Sequence, residues 1–328
     1  MIARATGTNR RMVLWLGLVA LAAGLLLPHV VFIGLATDIV LWALFAAAFD
    51  MLLGYTGLLS FGHAMFWGGA SYITGLLVLR AHWSFVPAVL AGMLGAAALA
   101  GIVGAVSIRR QGIYFAMITL AFGQMLYFLT NQLGEWTGGQ DGLQGVPRPV
   151  ALGHVTLDSD QVFYYITLAL TAASIAFMLR VVSSPFGQVL GAIRENEQRA
   201  MSLGYRANVY KLVAFIISAT FSGLAGSLFV LAHRFTSLDT LDWHTSGQVV
   251  IMTVLGGMGT IFGPLFGAAF YLVINDRLST LANASNPMIA QFGHSPGIVL
   301  GVIFIIVVSL FRRGIVGELL AALRRRPA

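Results

Sequence analysis

Apolar runs of membrane-crossing length follow one another along nearly the whole chain, separated by short polar segments. Expected spans fall near 12–27, 33–53, 64–80, 84–107, 113–131, 161–182, 211–232, 246–260, 263–279 and 296–311. A hydrocarbon core about 30 Å thick takes roughly 20 helical residues, a length most of these runs approach. Strand-like alternation is absent, so the spans read as helices rather than a barrel. The predicted fold class is all-α, a polytopic membrane protein of about ten transmembrane helices (eight to ten) in one domain over 1–328. Small residues recur at every fourth position at Ala96, Ala100 and Gly104, and again at Ala219, Gly223 and Ser227. Such stripes give smooth faces on which helices approach closely in lipid.

Two places interrupt the pattern. The first runs from Gly54 to His63, the second from Gly256 to Pro264. Non-helical backbone at membrane depth needs protein or a water-filled cavity around it, and paired Gly/Pro interruptions point to a transport route. Candidate pathway residues are therefore Asp50, Gly54, Tyr55, Thr56, Gly57, Ser60, Gly62 and His63, with Gly256, Gly257, Gly259, Thr260, Gly263 and Pro264. Tight turns with glycines at positive φ account for the same pattern. Asp38 and Asp50 lie inside the second expected span, where a carboxylate is costly and a functional candidate. Asp50 either lines the route or accepts hydrogen bonds from loosened backbone N–H groups. Ser60 and His63, three apart, carry the residue types of a nucleophile–base pair. An oxyanion hole would also be needed, and path lining is the more economical role.

The one long polar segment lies between Ser184 and Lys211. Ser184 fits an N-cap and Pro185 the first helical position; Val189, Ala192, Ile193, Ala200 and Leu203 recur at helical spacing. Arg194, Glu195, Glu197 and Arg199 form the expected wet side, and Gly204 the expected stop. An amphipathic helix here either lies on anionic lipid or docks into a cytoplasmic motor subunit.

Composition agrees with the spans: the 328 residues are 58% hydrophobic and 9% charged, with mean hydropathy +0.86. Alternation from a cytoplasmic N-terminus places Arg4, Arg10, Arg11, Arg109, Arg110, Arg180, Arg194, Arg199, Arg206, Lys211, Arg312, Arg313, Arg324, Arg325 and Arg326 inside. Only Arg80, Arg148, Arg234 and Arg277 fall outside. This asymmetry obeys the positive-inside rule and accounts for the net charge of +7 with no nucleic-acid partner. Both termini are expected in the cytoplasm. Pro28-His29 follows the first apolar run where a cleavage site would stand, so that run is expected to stay as a helix. There are no cysteines, and the histidines show no metal-ligand spacing, so no metal or cofactor is expected. Lys211 is the only lysine and follows no glycine-rich phosphate loop, so the chain has no ATP site of its own.

Several segments resemble one family in order and spacing: LLGYTGLLSFGHAMFWGGASY (52–72), IYFAMITLAFGQM (113–125), TGGQDGLQGVP (137–147), SPFGQVLGAIRENEQRAMSLGYRANVYKLVAF (184–215), SGLAGSL (222–228) and VIMTVLGGMGTIFGPLFGA (250–268). They are similar to the permease subunits of branched-chain amino-acid ABC importers, of the LivM type, over about residues 35–315. The resemblance implies a non-enzymatic permease in the bacterial inner membrane. Its implied partners are two ABC ATP-binding subunits, a second permease subunit, a periplasmic substrate-binding protein and membrane lipid. It also implies that 184–210 is the cytoplasmic coupling-helix loop, with Arg194, Glu195, Glu197, Ala200 and Gly204 as coupling residues. Gln198 and Arg199 stand where the related Glu-Ala-Ala, three residues, Gly pattern has Glu and Ala, and Asp50 stands where Asn is more common. The outer loop 132–160 is either a landing surface for the binding protein or plain exposed loop. An importer of urea or short amides, and an ion-coupled transporter using Asp38 or Asp50, remain as alternatives.

Overall fold

Apolar sequence without alternation has one way to satisfy its backbone in hydrocarbon, the intrasegment ladder of an α-helix. The computed structural model describes residues 8–149, 157–260, 262–281, 296–311 and 314–318. Among them the helices are α1 (Thr8–Val30), α2 (Ile33–Thr56), α3 (Ala64–Ala81), α4 (Phe85–Ser107), α5 (Ile113–Gln132), α6 (Gly134–Thr137), α7 (Asp160–Ser183), α8 (Pro185–Glu195), α9 (Glu197–Ser202), α10 (Ala207–His233), α11 (Trp243–Gly256), α12 (Phe262–Leu281) and α13 (Pro296–Leu310). The only extended pairing among these residues is an isolated antiparallel bridge between Leu143 and Thr236. Arg4, Arg312, Arg313, Arg324, Arg325 and Arg326 of the predicted inner charge set lie outside the described residues. So do 150–156 of the predicted outer loop and Ile261 of the second break.

α2 is apolar on every side, and such a helix belongs in the interior. Of its most apolar stretch 83% is buried, against 28% for α5. α7, α10, α11 and α12 surround it, while α3 and α4 pack on α10. The two predicted small-residue stripes meet at the α4–α10 crossing. A Cβ on Gly223 would lie 2.5 Å from that of Ala96, and one on Gly104 would lie 2.9 Å from the Phe215 ring. α3 and α10 approach as closely, with the Ser71 hydroxyl donating to the Gly226 carbonyl at 2.7 Å and Thr74 meeting Ser227 at 2.8 Å. At the end away from α8, Arg148 donates to the Leu231 and Ala232 carbonyls at 2.9 Å each and pairs with Asp160 at 2.6 Å. It thereby caps the negative end of α10 and ties it to the first turn of α7.

Among the described residues six segments are long and apolar enough to cross a membrane: α2, α4, α5, α7, α10 and Gly297–Glu318. Three expectations change. The expected 246–260 span is α11, 14 residues and so about 21 Å at 1.5 Å per residue, too short to cross. The first break is no tight turn: residues 57–63 fold back along α2, bringing His63 against Phe45 and Phe49. α3 therefore starts inside the bundle, where its Ala64 N–H donates to Ser246 of α11 at 2.9 Å. Finally, the polar segment expected as one helix is two, α8 and α9, divided at Asn196.

Gly226 has no room for a side chain, because a Cβ there would overlap the Trp67 carbonyl. Gly226→Val should cost about 1–3 kcal/mol or prevent folding, read as a lowered Tm in detergent. Gly101→Ala, where a Cβ meets nothing within 4 Å, should be neutral or slightly stabilising.

Candidate functional site

A helix leaves its last carbonyls without intrahelical donors. At the end of α2, Gly57 turns left-handed (φ 75°) and returns its N–H to the Leu53 carbonyl at 3.1 Å. The Leu58 N–H turns aside to the Thr56 hydroxyl at 3.3 Å, so it does not serve Gly54. The Gly54 carbonyl is taken instead by the Arg194 guanidinium, reaching across from the last turn of α8. A cation at this end also suits the helix dipole.

One turn earlier on α2, Asp50 is fully buried. Its two oxygens accept the Gly259 N–H at 2.9 and 3.2 Å. Gly259 belongs to the second break and takes φ 75°. No side chain fits between the two breaks. A Cβ on Gly54 would overlap Asp50 Oδ1 and the Gly259 nitrogen, and one on Gly259 would lie 3.2 Å from the Gly54 oxygen. The second break is held locally as well, Thr260 donating to the Gly257 carbonyl at 2.7 Å and the Gly263 N–H to Thr260 at 2.8 Å. Gly256 lies backbone to backbone on Gly263 and Pro264, where α11 hands over to α12. Asp50, Gly54, Gly57, Gly259 and Arg194 thus converge on one junction, with Gly256, Gly257, Thr260, Gly263 and Pro264 building its second wall.

Ser60, Gly62 and His63 form a separate group deeper along α2. His63 is fully buried in a box of Phe45, Phe49, Phe66 and Phe215. Its Nε2 lies 3.0 Å from the Ser218 oxygen, whose one proton goes to the Ala48 carbonyl at 2.5 Å. Ser218 must therefore accept from His63, which fixes the Nε2–H tautomer. Ser60 Oγ and His63 Nδ1 have no hydrogen-bond partner among the described residues, so the two do not form a nucleophile–base pair. Gly62 presses on the Thr119 carbonyl of α5. Tyr55 and Thr56 are buried, Thr56 donating to the Leu52 carbonyl at 2.6 Å. Asp38 sits at the opposite end of α2, 2.8 Å from His233, on a cavity of about 120 Å³ shared with Arg148 and Asp160.

In the polar segment α8 starts at Ser184 and Pro185 as expected, but the Ser184 hydroxyl donates to the Val181 carbonyl at 2.6 Å and caps no N–H of α8; Gly204 takes the left-handed conformation (φ 91°) expected of a stop. Asn196 divides the segment because its side chain accepts the Arg199 N–H at 2.9 Å and caps α9. The expected wet side is only partly wet. Arg194, Glu195 and Arg199 are exposed, though the Arg194 guanidinium also reaches Gly54; Glu197 is half-buried, holds the buried Lys211 and accepts from Gln111 at 2.6 Å. Ala200 packs inward with Ile193 and Ala207. Apolar side chains face outward too: Met201, Leu203 and Tyr205 are 50%, 71% and 41% exposed, among the exposed Gln198, Arg199, Ser202 and Arg206. The sequence reading placed Leu203 on the apolar side and did not single out Met201 or Tyr205, nor Asn196, Ser218 and Ser246. An Asn within a helical pattern was the one legible signal among them.

Residues 31–308 match a family model described as branched-chain amino acid transport system / permease component. The chain belongs to that family. This permease is 31% identical over 271 residues to the high-affinity branched-chain amino acid transport system permease proteins LivM of Salmonella typhimurium and Escherichia coli. The alignment covers 75% of the chain, and the chain spans 63% of the length of those relatives. It is also 29% identical over 157 residues to the autoinducer 2 import system permease protein LsrC of Salmonella paratyphi B, covering 44% of the chain and 43% of the relative. No solved structure matches it.

Lys211 is 3% exposed and its partner Glu197 is 16% exposed, so breaking the pair strands a nearly buried charge. Lys211→Met should cost about 3–5 kcal/mol, read as a lowered Tm, and Lys211→Met with Glu197→Gln should recover most of the loss.

Proposed function

We propose that this permease is the membrane-spanning subunit of an ATP-driven importer carrying branched-chain or other small amino acids across the bacterial inner membrane. Its fold is then the ABC-importer permease fold, one domain of eight to ten spans with both termini in the cytoplasm. It works with a second permease subunit, two ABC ATP-binding subunits and a periplasmic substrate-binding protein. ATP hydrolysis belongs to the partner subunits.

The observation that carries this reading is the α8–α9 segment, the coupling element over 184–210. It shows Met201, Leu203 and Tyr205 to solvent in the chain's most polar stretch, while Arg194 fastens the same segment to the junction of the two breaks. Exposed apolar side chains ringed by charge mark a docking site for another protein, and a lever needs both a handle and an attachment. Both LivM relatives quoted above carry branched-chain amino acid transport in their names. The ion-coupled alternative draws no support from Asp50, whose oxygens both lie on the Gly259 N–H.

Purified with its ATPase and binding-protein partners in vesicles, the permease should import leucine only with ATP, and urea should not compete. Met201→Glu with Leu203→Glu should lower ATPase capture and uptake at least tenfold, at about 1–2 kcal/mol per contact, with membrane insertion intact. Leucine uptake at full speed by the permease alone would refute the reading.

A further inference from the structure

Two observations meet at Gly54. The terminal carbonyl of α2 has no donor of its own and is served by a guanidinium from α8. The carboxylate one turn earlier holds the second break by its backbone. The three segments are also in steric contact. A Cβ on Gly57 would lie 3.3 Å from Arg194 Cγ, and one on Gly259 would lie 3.4 Å from Arg194 Nη1. Arg194 is therefore the point where α8, the end of α2 and the second break touch at once.

We propose that Arg194 is a positioning residue, a latch that holds the two glycine breaks together until movement of α8 withdraws it. The inference rests on the importer reading and names the side chain that would carry the motion inward. In the latched state the guanidinium satisfies Gly54 and places a positive charge beside the buried Asp50. Withdrawing α8 removes a donor and a charge in one step. The Gly54 carbonyl is left without a partner and Asp50 without that charge, so the contact with Gly259 loses support from one side. A carbonyl deprived of its donor in a buried site is costly, which makes the latched and unlatched arrangements discrete rather than graded. Arg is suited to this because its planar fork stays charged and places several donors at one site, whereas Lys offers a point charge.

The test uses the whole complex in vesicles and reads the ATP hydrolysed for each leucine imported. Arg194→Ala should raise that ratio at least tenfold, and Arg194→Lys should recover part of the coupling. A ratio unchanged in Arg194→Ala would overturn the latch while leaving the importer reading standing. Wild-type complex without ATP-dependent uptake would overturn the importer reading itself.

Should Arg194→Ala fail to assemble, Arg194→Lys is read instead, since it keeps a charge and loses the planar fork on Gly54. Its ratio of ATP hydrolysed to leucine imported should exceed that of the wild type at least threefold. A wild-type ratio in Arg194→Lys would show that the fork is not what holds the two breaks, and the proposal would be lost.

Discussion

The constraint on which this structure depends is that a backbone N–H or C=O in hydrocarbon must find its partner within the protein. Along the spans the helical ladder supplies it. At the two breaks it does not, and the structure answers with specific side chains: Ser246 for the Ala64 N–H, Asp50 for the Gly259 N–H, Arg194 for the Gly54 carbonyl. Each of these side chains lies far in sequence from the group it serves. The breaks are thus where distant parts of the chain are compelled to meet.

Around that constraint the packing is built on small residues rather than on large apolar ones. Apolar side chains gain little by leaving lipid for one another, so close approach of backbones provides the association instead. Gly223 on Ala96, Gly226 on the Trp67 carbonyl and Gly62 on the Thr119 carbonyl are instances of this. The same closeness lets hydroxyls bond between helices, as Ser71 does to Gly226 and Ser218 to Ala48. The large rings, His63 among them, fill what remains around α2.

Charges are kept for the ends and for the joints. Arg148 closes one end of α10, while Lys211 in its first turns is held by Glu197 of α9. α10 therefore joins the α8–α9 segment at one end and the loop before α7 at the other. Gln111, from the turn between α4 and α5, also donates to Glu197, so α9 is braced from two sides. A segment braced in this way transmits displacement as a body, which suits the lever role proposed for it.

The sequence by itself determined the helical class, most of the span positions, the small-residue stripes and the existence of both breaks, because each is written in local periodicity and composition. It also located the polar segment and its start at Ser184–Pro185 and stop at Gly204. Tertiary structure alone decided that residues 57–63 fold back along α2, that α11 stops short of a full crossing, and which face of the polar segment looks outward. Arg194 read as a solvent-facing charge and is exposed, yet its partner was not legible, since helical spacing assigns a side chain to a face but cannot see a carbonyl left open on another helix. Asp50 read as a pathway carboxylate or a backbone acceptor, and its donor proved to lie 209 residues away. Periodicity records what neighbours along the chain do, whereas an unpaired backbone group is answered by whatever the fold brings within reach.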